Sequence, residues 1–390
     1  MKAELPDDLQ LVCACLGPDG RQLPASGEVD PDRVAGIARR HQVSGRVLTR
    51  LQQEGRPIST RLIRQVERDR QAGLRQLAAA LALRDAFADA GIDALFLKGL
   101  ALSQRAFGSP LARWAADIDV LVPADQVRAA WLALEQLGYL REVPAAEISP
   151  ARLRLFQRIS KDSLHRDPAA GVIVELHWRL TDHQGDERPV PLAERQVIAV
   201  TDGQGLPTLA DIPLWLYLVE HGAAHAWARL KWLDDVAALI GCADDRGSAF
   251  WQAACQRGSA VAAASAIILC ERLFELAPPP GFTAPASLRL KLLLRLAMAS
   301  ITAGDGMEDL ADSPRRGWTE LSAKLLAARG WGGIVGGLRR MVWSADDVAS
   351  LALPNWLFWL YPLLRLPMLV RRRVVRAKGR GVVARHGGRG

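Results

Sequence analysis

The chain has 390 residues, 49% of them apolar, which is enough to bury a sizeable core and excludes a disordered polymer. Its net charge of +8 first suggests a nucleic-acid footprint, but all of it sits in the last 20 residues. Arg371, Arg372, Arg373, Arg376, Lys378, Arg380, Arg385 and Arg389 stand there without an acid, so the body of the chain is neutral and the electrostatic case for a nucleic-acid partner falls away. Cys13, Cys15, Cys242, Cys255 and Cys270 are odd in number and set among apolar or Ala-rich neighbours, which suits a reducing cytoplasm better than a disulfide framework. The acidic first ten residues carry no signal-peptide pattern.

In chain order, residues 28–91 read as helices. The last of them, "RQVERDRQAGLRQLAAALALRDAFADAG", places Val66, Leu74, Leu77, Leu81 and Leu83 among Ala, Arg and Asp and stops at Gly91. A short apolar strand, "IDALFLKG", follows and turns at Gly99 into a helix over 100–107. Beyond the Gly108-Ser109-Pro110 breaker, "DIDVLVP" reads as a strand ended by Pro123. "ADQVRAAWLALEQLGY" has helical spacing, with Val127, Trp131, Leu134 and Leu137 expected on one buried face. A hairpin is expected in "RISKDSLHRDPAAGVIVELHWRL", reversing at Asp167-Pro168 and Gly171. From about Pro207 the spacing is helical again, in "DIPLWLYLVEHGAAHAWARLKWLDDVAALIG" and "SAVAAASAIILCERLFELA". This predicts an α+β core over 92–206 with N-terminal helices over 1–91, a helical domain over 207–345 and a tail over 346–390.

Alternation in the acidic strand puts Asp117, Asp119 and Leu121 on one face and Ile118, Val120 and Val122 on the other. Two carboxylates roughly 7 Å apart along a strand repel one another unless cations compensate them. They can converge on divalent ions about 3.5–4 Å apart. In "VIVELHW", Glu175 and His177 share parity opposite the apolar Val172, Val174, Leu176 and Trp178, so Glu175 is a third candidate ligand. Three oxygen donors and no thiolate favour Mg2+ or Mn2+ over zinc. Lys98 and Gly99 close the first strand where a helix begins, a place suited to an anion. Arg113 lies four residues before Asp117, and such cations would meet the outer oxygens of a chelated triphosphate.

Read in order, Leu97-Lys98-Gly99, Arg113 with Asp117-Ile118-Asp119, and Glu175-Leu176-His177-Trp178 resemble the DNA polymerase β-type nucleotidyltransferase superfamily. More narrowly they resemble its uncharacterised bacterial nucleotidyltransferase family, over roughly residues 60–245. Lys98-Gly99 stands where the superfamily usually has a Gly-Ser pair. The resemblance implies a polymerase β-like fold and transfer of a nucleoside monophosphate from an NTP, ATP first among them, to an acceptor. It implies metals on Asp117, Asp119 and Glu175, and phosphates on Lys98, Gly99 and Arg113. It leaves the acceptor open among small molecules, peptides, proteins and nucleic-acid ends. A catalytically inactive scaffold or membrane-recruited accessory protein is the alternative.

His221 and His225, four apart, would share a helix face with access to the cleft, and Lys231 would follow them, lending hydrogen bonds to substrate. A zinc pair has no third ligand there, and ordinary packing is the other reading. His177 would orient a carboxylate or phosphate, or be a satisfied structural histidine. Trp215, Trp227 and Trp232 read as core.

Residues 351–370 are apolar and long enough to span a bilayer, but Pro354, Pro362, Pro367, Asn355 and Arg365 interrupt them. With the arginines that follow, two readings stand side by side: an interfacial anchor on anionic lipid through 351–380, or a helix packed on the main domain; an RNA-binding tail ranks third, because no aromatic or Gly-x-Gly spacing supports base readout. A cytoplasmic protein, free or peripheral at the inner face of the membrane, is expected.

Overall fold

The computed structural model describes residues 5–17, 22–24, 29–180, 193–240, 246–309, 316–328 and 343–365. Cys242, residues 366–370 and the basic tail 371–390 lie outside them.

Three short helices open the chain: α1 (Asp7–Ala14), α2 (Pro31–His41) and α3 (Ser44–Gln53). Helix α4 (Thr60–Asp89) then runs for 30 residues, about 45 Å at 1.5 Å per residue. Ser59 caps it by accepting the amide of Arg61. The mixed α/β part comprises β1 (Leu95–Phe96), α5 (Gly99–Phe107), β2 (Ile118–Leu121), α6 (Val127–Gln136), β3 (Leu140–Val143), α7 (Pro150–Ile159), β4 (Asp162–Arg166) and β5 (Ile173–His177). A separate hairpin, β6 (Arg195–Thr201) with β7 (Gln204–Leu209), leads to the helices α8 (Asp211–Ala224), α9 (Leu230–Ile240), α10 (Arg246–Gln256), α11 (Ala260–Phe274), α12 (Leu288–Ile301) and α13 (Arg316–Ala327).

The main sheet has the order β1-β2-β5-β4-β3. Only β2 and β5 pair in parallel; the other neighbours are antiparallel. This is the expected α+β class, a small mixed sheet flanked by helices. Strands β1, β2 and β5 are shorter than their apolar runs, and Asp117 falls just before β2. The hairpin β4–β5 turns where expected, with the amide of Gly171 bonded to Asp167 O. Strand β3, helix α7 and the β6–β7 hairpin are additions to the elements read from the sequence. On α6, Val127, Trp131 and Leu134 are buried as expected, but Leu137 is exposed because the helix has already ended at Gln136.

Two apolar clusters hold the fold, and they do not follow chain order. One gathers the sheet's inner face, including Ile118, Val120, Val174 and Leu176, with Phe87 of α4, Trp131 of α6 and Phe156 of α7. Each such side chain, fully buried, contributes roughly 1.5–3 kcal/mol. The other joins α1, α2 and α3 to α8, α9, α11 and α12, with Leu95, Leu97 and Leu121 from the strands. Helix α4 enters both, through Leu62 at one end and Leu83 and Phe87 at the other.

Candidate active site

The parallel register sets Asp119 directly beside Glu175 and Leu121 beside His177. Because side chains alternate, Asp119, Glu175 and His177 share the face opposite the sheet-side core. Strand β4 adds a residue: Asp162 lies across from His177 in the antiparallel register. Asp162 and the preceding Lys161 were not singled out from the sequence. The parity of Asp162 with Glu175 becomes readable only once the register around the 167–171 turn is known.

The acids are compensated unequally. Asp119 is buried, yet its Oδ1 lies 3.1 Å from Lys98 Nζ and 3.1 Å from His177 Nε2. Burial opposes its charge, but Lys98 and then His177 outweigh it and hold the carboxyl well below the usual carboxylate range. Both contacts use Oδ1, and neither engages Oδ2. For Asp117 the balance reverses: burial, with repulsion from Asp119 and Glu175, pushes its carboxyl up to about 6. Asp162 is held low, Lys161 Nζ at 3.2 Å overcoming the cost of burial. His177 bridges the group, its Nε2 3.5 Å from Glu175 Oε2 and its Nδ1 3.8 Å from Asp162 Oδ2.

Lys98 sits where β1 gives way to α5. Its ammonium lies 5.4 Å over the ring of Tyr217, and despite burial Asp119 raises its proton affinity above that of an ordinary lysine. Gly99 has φ +61°, while a Cβ there would meet only ordinary contacts at 3.7 Å and 3.9 Å. The left-handed backbone is therefore what calls for glycine.

Across the cleft, the helix expected from the sequence is broken. Ala226 and Trp227 take positive φ, so α8 closes at His225 and α9 restarts at Leu230. A Cβ on Gly222 would overlap the indole of Trp227, which packs into the break. Helix α2 fixes the new start: the amide of Leu230 donates to His41 Nδ1 at 3.1 Å, and Arg40 donates to Ala228 O and Ser300 O. His221 and His225 still meet, with ring centroids 4.7 Å apart, and Trp232 lies 5.5 Å and 5.4 Å from them. Trp215 and Trp227 are core residues as expected, whereas Trp232 is only partly covered and lines the cleft.

Lys231, over the ring of Trp114, is lowered to about 7 by burial and by Arg113. Arg113 is committed on one edge, its Nε donating to Asp235 Oδ1 at 2.6 Å in a buried pair. That pair ties the loop before β2 to α9.

These walls enclose one cleft of about 440 Å³. Lys98, Gly99, Arg113, Asp117, Asp119, Glu175, His221, His225 and Lys231 all line it, and His177 lies fully buried behind the acids. Lys161, Asp162, Glu320 and Lys324 line it too. Glu320 and Lys324 come from α13, which has no counterpart among the site motifs. Ligand atoms of Asp119, Glu175 and His177 lie within 4.8 Å of one another, close enough for one metal ion. In this arrangement His177 Nε2 is either a hydrogen-bond donor to the carboxylates or a metal ligand, not both. The crowding that raises Asp117 is what a divalent cation would relieve, so the residues present fit such an ion.

The mixed sheet thus carries acids on its open face, opposite cations on a helical wall. The family model for uncharacterised nucleotidyltransferases matches residues 27–275, and the chain belongs to that family. The match runs beyond the expected 60–245 at both ends and takes in α2, α3, α10 and α11, helices that share the core of α8 and α9. A search of curated proteins gave no match.

Proposed function

We propose that the protein transfers a nucleoside monophosphate from an NTP, with ATP the first to test, to an acceptor. An acceptor nucleophile forms a bond to the α-phosphorus, the bond from the α-phosphorus to the oxygen bridging it to the β-phosphorus breaks, and pyrophosphate leaves carrying that oxygen. The observation that carries this reading is the register of Asp119 beside Glu175, facing Lys98 and Gly99 in one cleft.

Asp117, Asp119 and Glu175, with His177 beside them, would hold Mg2+ or Mn2+. When bound, such ions neutralise the leaving pyrophosphate and activate the nucleophile. Lys98, the amide of Gly99 and the free edge of Arg113 would grip the triphosphate. Lys231 fits the same task, because a polyphosphate beside a lysine lowered to about 7 restores its charge. His221 and His225 would lend hydrogen bonds further along the cleft. Action in the cytoplasm or at the inner face of a membrane belongs to the same reading.

One observation favours the inactive-scaffold alternative: Lys98 and Arg113 are already engaged by Asp119 and Asp235. Incubating the protein with each Mg-NTP and candidate acceptors, followed by mass spectrometry, decides between them. Added nucleoside monophosphate with release of pyrophosphate, both lost in Asp117→Ala, supports transfer. Calorimetry that finds no Mg-dependent nucleotide affinity supports the scaffold.

A further inference from the structure

The C-terminal segment has two sides. One is fastened to the domain: Val348 and Tyr361 are fully buried in the sheet-side core. Arg152 Nη2 donates to Val348 O at 2.8 Å and to Ala349 O at 3.0 Å, Tyr361 Oη donates to Leu351 O at 2.7 Å, and Arg365 pairs with Asp347 at 2.9 Å. The other side is open. Trp356, Trp359 and Leu363 are 74%, 59% and 65% exposed. Their spacing of three and four residues, through the 3-10 turn Asn355–Leu360 and the helical turn after it, puts them on one face. Single exposed apolar residues are ordinary, but two indoles and a leucine on one tethered face are not.

We propose that this face docks on an anionic lipid bilayer, Trp356, Trp359 and Leu363 entering the interfacial layer while the basic tail engages the headgroups. Three observations select this occupant. The chain's whole net charge of +8 follows within 371–390, immediately beyond the face, whereas the remaining residues sum to zero. Tryptophan favours the boundary between headgroups and acyl chains, and basic residues add attraction to anionic lipid. Three side chains fall well short of the roughly 800 Å² per partner that a stable dimer buries. Among the described residues no helix is long and apolar enough to cross a membrane, so the face lies in the interface. The two readings of this segment thereby merge: one side packs on the domain, the other on lipid. The inference is independent of nucleotidyl transfer, and either can fail alone.

The test is sedimentation of the full chain with vesicles of phosphatidylcholine alone or mixed with phosphatidylglycerol. Binding is expected only to the mixed vesicles, with tryptophan fluorescence quenched by brominated acyl chains. The triple variant Trp356→Ala, Trp359→Ala, Leu363→Ala should lower the partition coefficient about tenfold or more and remove the quenching, with an unchanged melting temperature. Truncation after residue 370 should weaken binding and make it insensitive to salt. The proposal is overturned if the full chain stays in the supernatant with mixed vesicles, or if the triple variant binds as well as wild type. It is also overturned if light scattering finds a dimer that this variant dissociates while vesicle binding is missing.

Discussion

The two walls of the cleft handle buried charge by different means. On the sheet wall, Asp119, Glu175, His177 and Asp162 are brought together by strand register alone, and their charges are balanced by near neighbours such as Lys98 and Lys161. On the helical wall, Lys231 and Trp232 are placed by a break in the helix that Arg40 and His41 stabilise from α2. Arg113 links the walls through Asp235, 122 residues away. The sheet wall is a local device that presents acids. The helical wall is a long-range assembly that presents cations and rings. The difference teaches that one wall can be altered by a point change in charge, while the other fails when a distant support is removed.

The largest expected effect is at Asp119. Asp119→Ala strands two buried groups, Lys98 and His177, so it should cost about 3–5 kcal/mol in urea unfolding. It should also reduce pyrophosphate release about a thousandfold. A variant with wild-type stability would show that the sheet wall does not depend on this compensation. Asp235→Asn comes next: it leaves the charge of Arg113 buried without its counter-ion and should cost about 3 kcal/mol. It should also raise KM for the nucleotide, because the loop carrying Arg113 loses its hold on α9. Unchanged stability there would separate the two walls.

Asp117→Asn should act oppositely on stability. A carboxyl pushed up to about 6 costs the fold as pH rises from 3.8 through that value, so removing its charge should stabilise metal-free protein by about 1–2 kcal/mol at pH 8. Nucleotide turnover should nevertheless be lost. A destabilised Asp117→Asn would show that the acids are not crowded. The smallest effect near neutrality concerns one histidine behind each wall. Burial, with Arg141, lowers His165 to about 3, and burial with Arg40 lowers His41 well below 6.5. Both fold best as neutral rings, so their contribution is complete above about 6.5 and is lost as pH falls below it. Melting temperatures should drop between pH 7 and 5, and His165→Phe should flatten that slope.

How much was legible follows the same division. The parity of Asp119, Glu175 and His177 could be read because a strand's period of two is local, and their pairing in the sheet agrees with it. Asp162 has the same parity but needed the hairpin register. Arg113 was recognisable as a cation near the acids, but its partner Asp235 was not, since no pattern links positions so far apart. From 211 to 240 the apolar spacing is helical and barely falters, so it does not mark where α8 ends and α9 begins. The break between them depends on Trp227, Gly222 and contacts from α2. The segment after 351 offered an apolar run and a basic end, and only packing could separate the buried Tyr361 from the exposed Trp356 and Trp359.

The sequence by itself determined the strands that carry the motifs, their faces and the first acids and cations of the cleft, because these depend on periodicities of two and 3.6 and on side-chain chemistry. The tertiary structure decided which charge answers which: Lys98 against Asp119, Arg113 against Asp235, His177 between three carboxylates. Electrostatic partnership depends on distance in space and on burial, and neither is a property of position along the chain.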